Sequence, residues 1–221
     1  MAQSAKVRRL NAAESVPARE RPGFGGAEPP VPPVRRTPPA IENARLAIMM
    51  LIGAEAMFFA GLIGAFIVFR VGSPVWPPPF QPRLPVGVTG VNTIILLASA
   101  FTVRRSVSAA RSGDGARLRR ALVLTAVLGG TFLAVQGYEW ARLIHFGLTV
   151  SSSVYGGLFY TLIGFHAAHV VAALVWLLVV LGLARRGRFS RERHTGLAIC
   201  ATYWIFVVAL WPVLYGLIYL L

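Results

Sequence analysis

Leu46–Phe69, LAIMMLIGAEAMFFAGLIGAFIVF, is the stretch that decides how this chain is read. It exceeds the ~20 residues that a helix needs to cross a bilayer core. Glu55 is its only ionisable residue, and every other position is apolar or small. An acid at that depth costs several kcal/mol unless it is protonated, paired or hydrated. Glu55 has no charged neighbour at helical spacing. Hydrocarbon penalises its charged form, so the group is expected to be largely neutral near pH 7. Two roles fit: a proton relay facing a bundle interior, or a hydrogen bond that clamps one helix to another.

Four further apolar segments follow, at about Gly87–Val103, Ala121–Ala141, Val154–Leu183 and Leu197–Leu221. Hydrophobic residues make up 56% of the chain and charged residues 14%, and the mean hydropathy is +0.64. The expected fold is therefore an all-α membrane protein, with five transmembrane helices over residues 45–69, 87–103, 121–141, 154–183 and 197–221. Short connections favour antiparallel neighbours, so residues 43–221 are expected to form one bundle. Residues 1–42 hold eight prolines before position 40, several of them paired, and read as a disordered Pro/Arg-rich cytoplasmic tail. No apolar run of signal-peptide type occurs there. Glu42 and Asn43 are candidate caps for the first helix.

The formal net charge of +14 would suggest nucleic acid in a soluble protein. Its distribution says otherwise. Of the 22 Lys and Arg residues, 19 fall in the N-terminal region, the second loop and the fourth loop, and three fall on the other side. The positive-inside rule then puts the N-terminus in the cytoplasm and the C-terminus outside. Cys200 is the only cysteine, which excludes an internal disulfide and a cysteine-based metal site. Trp76-Pro77-Pro78-Pro79 makes the first outer loop a stiff segment with an aromatic at the interface. On the first helix, Ala56, Ala60 and Gly64 recur every four residues beside Gly61 and Ala65. Such a stripe is expected to let a neighbouring helix approach closely.

The remaining intramembrane polar groups include Asn92 and Ser99 on the second helix, Gln136 and Glu139 on the third, His166 and His169 on the fourth, and Tyr203 and Trp204 on the fifth. At a rise of ~1.5 Å per residue, Glu55 lies ~15 Å from its cytoplasmic boundary, and His169 and His166 ~21 and ~26 Å from theirs. Contact between Glu55 and a histidine is left open by these depths. The two histidines are three residues apart on one helix face. As metal or axial haem ligands they lack a further histidine at that depth, and a structural hydrogen-bonding role is favoured. Glu139 is expected at the outer boundary, solvated and within helical reach of Gln136 and Arg142.

These residues fall in strings that share an order: Glu55-Ala56-Met57-Phe58-Phe59; Trp76-Pro77-Pro78; Asn92-Thr93 with Leu96-Leu97-Ala98-Ser99; Gln136-Gly137-Tyr138-Glu139; Tyr155-Gly156; Gly164-Phe165-His166-Ala167-Ala168-His169-Val170; and Tyr203-Trp204. From about Asn43 to Leu221 the chain resembles the cytochrome c oxidase subunit 3 family, subunit III of the haem–copper oxidases, in its shorter five-helix form. The resemblance implies a noncatalytic subunit of a terminal respiratory oxidase in a bacterial inner membrane. It implies no haem, copper or other metal bound by this chain, those groups belonging to partner subunits I and II. It further implies packing on subunit I, bound phospholipid, and support of proton uptake and turnover stability.

Carried over by position, Glu55 matches the family's intramembrane glutamate, and His166 and His169 its paired histidines. Glu139 matches the third-helix acid, with Gln136 and Asn92 in the same polar set. Arg185, Arg186 and His194 fall near positions that meet lipid headgroups. The family's usual Tyr-Trp-His-Phe-Val-Asp is here Tyr203-Trp204-Ile205-Phe206-Val207-Val208, so two polar groups of the last helix are missing. Other readings are a subunit III-like partner of a quinol oxidase or nitric oxide reductase, or a stand-alone proton-coupled carrier. Against the carrier, no inverted repeat or broken helix is visible.

Overall fold

The computed structural model describes residues 39–79 and 84–220, with side chains from residue 43 onward. The proposed tail, residues 1–42, therefore lies almost wholly outside the described residues. Five helices follow one another: α1 (Pro39–Gly72), α2 (Val86–Ser112), α3 (Gly115–His145), α4 (Val154–Arg185) and α5 (Thr195–Tyr215), the last continued by a π-helical turn at Gly216–Leu220. All five are long and apolar enough to cross a membrane. The chain is thus a multi-pass membrane protein, as its hydropathy predicts.

Two boundaries differ from the sequence reading. α1 begins at Pro39, so Glu42 and Asn43 lie inside the helix rather than capping it. Proline is well suited to a first helical turn, where its missing N–H has no partner to lose. α2 and α3 run well past the apolar segments and meet at Gly113-Asp114, so the basic stretch Arg104–Arg120 is helical almost throughout. Gly113 takes φ +79°, the left-handed conformation that ends α2. Asp114 then caps α3 by accepting from the Arg117 N–H at 2.8 Å.

α2 to α5 form a four-helix ring in which each helix packs on the next and α5 closes against α2. Side-chain pairs fix the directions. Thr93 meets Trp211 and Ser99 meets Trp204, so α2 and α5 are antiparallel. Asn92 meets Phe132 and Thr102 meets Thr125, so α2 and α3 are antiparallel as well. The core is aromatic, with Trp204, Trp211, Phe59, Phe66, Phe132 and Phe159 fully buried. Both tryptophans also donate from Nε1, Trp204 to Ser99 Oγ at 3.0 Å and Trp211 to Thr93 Oγ1 at 2.8 Å. A buried indole N–H left without an acceptor would cost ~1–3 kcal/mol, so these hydroxyls fix the depth of α5 against α2.

α1 stands outside the ring, resting on α4 and α5. Its inward seam is Ile48, Ile52, Glu55, Phe59, Leu62 and Phe66, alternating steps of four and three residues. That spacing keeps one face of a helix against its neighbours, and Glu55 is the one polar member. The small-residue stripe points elsewhere. Ala56, Ala60, Gly61 and Ala65 are exposed, and a Cβ added at Gly61 or Gly64 would meet nothing within 4 Å. The close approach expected of that stripe is not made among the described residues, because the neighbouring helices lie on the seam side. Trp76 folds back from the first outer loop to lie edge-on to Phe66 and Tyr155, with ring centroids 5.6 and 5.2 Å away.

Candidate functional site: an acid, a phenol and an imidazole between three helices

α1, α4 and α5 bring Glu55, His169 and Tyr203 to one level. Tyr203 Oη donates to Glu55 Oε1 at 3.0 Å. His169 Nε2 stands 3.8 Å from the same oxygen. His169 Nδ1 lies 2.6 Å from the Phe165 carbonyl, one turn earlier on α4. A carbonyl only accepts, so Nδ1 carries a proton and Nε2 is the position facing the acid. At 3.8 Å the two atoms, Nε2 and Oε1, are neighbours beyond hydrogen-bond reach. Glu55 Oε2 has no partner among the described residues. The Glu55 side chain retains 13% exposure and that of His169 23%, so the site lies at the edge of the bundle rather than in its sealed core.

Aromatic rings wall this contact. Phe59 presents an edge to His169 at 5.2 Å and to His166 at 6.4 Å, while Trp176 leans on Tyr203 at 5.7 Å. The arrangement can hold, accept or release a proton at Glu55 without a metal. Among the described residues, no three His, Cys, Asp or Glu side chains gather as a metal-binding group.

The other predicted polar residues do not join into one network. His166 is fully buried, stacks on Trp211 at 5.0 Å, and has no hydrogen-bond partner on either ring nitrogen among the described residues. The two histidines on one helix face thus enter different surroundings, because one looks into the ring and the other toward α1. Asn92 donates to the Phe132 carbonyl at 3.0 Å. Gln136 donates to Tyr219 Oη at 3.3 Å rather than pairing with Glu139. Glu139 is buried, not solvated as its depth suggested, and Arg142 covers it from 3.3 Å. Arg185 and Arg186 are exposed at the end of α4. His194 sits just before α5, with Nδ1 2.7 Å from the Arg191 carbonyl.

Tyr203 is the site residue whose role went unread. It was visible only as one member of a Tyr-Trp pair. No periodicity within α5 reveals that it faces Glu55, which lies 148 positions earlier.

The family model described as Cytochrome c oxidase subunit III matches residues 35–221. The chain is 37% identical over 175 residues to cytochrome c oxidase subunit 3 of Synechocystis sp., covering 79% of this chain and 74% of that one. It is 38% identical over 170 residues to the probable cytochrome c oxidase subunit 3 of Nocardia farcinica, covering 76% and 83%. With the protein of the same name from Thermostichus vulcanus it shares 32% over 177 residues, covering 80% and 86%. The match spans all five helices and the Glu55–Tyr203–His169 contact, and the chain belongs to the cytochrome c oxidase subunit III family, as a subunit of a haem–copper oxidase of the respiratory chain.

Proposed function

We propose that this chain works as a noncatalytic support of its oxidase, docked on subunit I, with subunit II in the same complex. The haem and copper belong to those partners. Its site is Glu55, held at the α1 seam by Tyr203 and faced by His169. That contact is the observation that carries the proposal: an acid kept inside a hydrocarbon span, hydrogen-bonded to a phenol and beside an imidazole, supports proton uptake by a neighbour better than it supports chemistry of its own. The outward face of α1, lined by Ala56, Ala60 and Gly61 with Met57, supplies a surface for a partner helix.

The residues outside the membrane support a lipid-holding role as well. Arg185 and Arg186 end α4 and His194 precedes α5, flanking the basic connection between them. The 19-to-3 division of basic residues supports a cytoplasmic N-terminus in a bacterial inner membrane.

Purification tests this reading. A tagged copy of the chain, extracted in mild detergent, is expected to bring with it the haem absorbance of the oxidase. Glu55→Ala is expected to leave that absorbance intact while shortening the time for which the complex sustains turnover. Recovery of the chain with no haem protein, or loss of haem on Glu55→Ala, overturns the proposal.

A further inference from the structure

Between the basic ends of α2 and α3 lies a groove of about 510 Å³. Arg105, Arg117 and Arg120 line its rim, with Ser108 and Ser112 between them. Ala121 and Leu124 form the wall that descends into the membrane-spanning part. At the deep end Thr102 Oγ1 lies 2.7 Å from Thr125 Oγ1, which closes the gap between the helices.

The charges are largely uncommitted. Among the described residues, Arg105 and Arg120 form no ion pair, whereas Arg117 lies 3.5 Å from Asp114. Arg105 stacks over the Phe101 ring at 4.4 Å, which holds its guanidinium along α2. Asp114, at the turn between the two helices, is answered by Arg117. A planar guanidinium offers paired N–H donors that match phosphate oxygens, and serine hydroxyls add neutral donors beside them.

The geometry points to this groove as a binding site for an anionic phospholipid, its phosphate held by Arg105, Arg120 and Ser108 and an acyl chain lying along Ala121 and Leu124. Polar donors at one end and an apolar wall running into the bilayer suit a molecule with a charged head and a hydrocarbon tail. Free phosphate would use only the head of such a site, and an acidic segment of another subunit would leave the membrane-facing wall unused. The site is distinct from Arg185, Arg186 and His194 at the α4–α5 junction, and it does not depend on the role given to Glu55.

The test uses the intact oxidase in nanodiscs of dioleoylphosphatidylcholine doped with a phosphatidylglycerol whose acyl chain is photoactivatable. Labelled peptides are mapped by mass spectrometry. Labelling is expected to concentrate on Ala121–Leu124 and to fall by roughly fivefold or more in Arg105→Gln/Arg120→Gln, since each basic side chain near an anionic head adds measurably to binding. The charge-preserving Arg105→Lys/Arg120→Lys is expected to keep most of the labelling. Arg119→Gln, on the same helix outside the groove, is expected to leave it unchanged, and excess inorganic phosphate is expected not to displace it. Equal labelling by photoactivatable phosphatidylcholine, or undiminished labelling in the Gln variant, overturns the inference. Displacement by inorganic phosphate would mark a free-anion site and overturn it too. Loss of a neighbouring subunit from the Gln variant with labelling unchanged would mark a protein contact, with the same consequence.

Discussion

Tyr203 Oη and Glu55 Oε1 stand 3.0 Å apart, joining α5 to α1 through two residues 148 positions apart in sequence. The bond is a polar tie in a seam otherwise made of Ile48, Ile52, Phe59, Leu62 and Phe66, and Arg70 adds a second at the far end of α1 by donating to the Leu217 carbonyl at 3.4 Å. Because α1 leans on the bundle along a narrow strip, that tie weighs more here than it would inside the four-helix ring.

Tyr203→Phe removes the donor and keeps the ring against Trp176. A hydrogen bond of this kind contributes about 1–2 kcal/mol, more where the acceptor is charged. The variant is expected to lower the melting temperature of the purified oxidase and to make α1 more accessible to protease. The haem spectrum should not change. Wild-type resistance to protease in the variant would show that the rest of the seam holds α1 without this bond.

Glu55→Gln and Glu55→Ala separate a clamp from a proton carrier. Glutamine still offers an oxygen to Tyr203 but exchanges no proton at working pH. If the carboxyl serves only to hold α1, the Gln variant is expected to sustain turnover like the wild type while Ala does not. If its proton matters, both variants fail alike, and that second outcome is the one expected. A hydrophobic carbodiimide gives an independent reading: Glu55 faces a phenol and an imidazole at the bundle edge, whereas Glu139 faces the Arg142 guanidinium at 3.3 Å. Glu55 is expected to be labelled first.

The tight packing of the ring makes a sharp prediction at Gly129. A Cβ there would run into the Trp204 indole, with Cζ2 only 2.8 Å away. The ring cannot retreat without losing its bond to Ser99. Gly129→Ala is expected to destabilise the domain by about 1–3 kcal/mol, the usual cost of overpacking a filled core. Thermal unfolding followed by tryptophan fluorescence measures it.

Gly61→Leu provides the contrast. Nothing among the described residues lies within 4 Å of a Cβ at that position, so the variant is expected to fold and insert normally. Its effect should appear only on assembly, as poorer co-purification of the haem-bearing subunits. An unimpaired complex would move the partner surface to another face.

Hydropathy made the five crossings legible, since a bilayer demands long uninterrupted apolar runs and little else. It could not show that α2 and α3 continue through Arg104–Arg120, because an Arg-, Ala- and Ser-rich helix projecting beyond the hydrocarbon resembles a basic loop in composition. Only Gly113 and Asp114 mark the turn. Glu55 stood out for its isolation. Its partners did not, because contacts between helices distant in sequence leave no periodicity to read. Nor did the stripe on α1 say which way it faced. In lipid, a helix side turned to a neighbour and one turned to acyl chains are both apolar, so the rule that separates core from surface in water loses its force. Glu139 shows the same blindness in reverse: its depth suggested water, and the fold covered it with Arg142.

The placement of α1 against α4 and α5 has a consequence for biosynthesis. Helices enter the bilayer in the order of translation, and side-by-side association follows insertion. Among the five described helices, the earliest is therefore matched to the two latest. Until α4 and α5 have entered the bilayer, α1 waits there with its acid unanswered, and their arrival is what lets it settle.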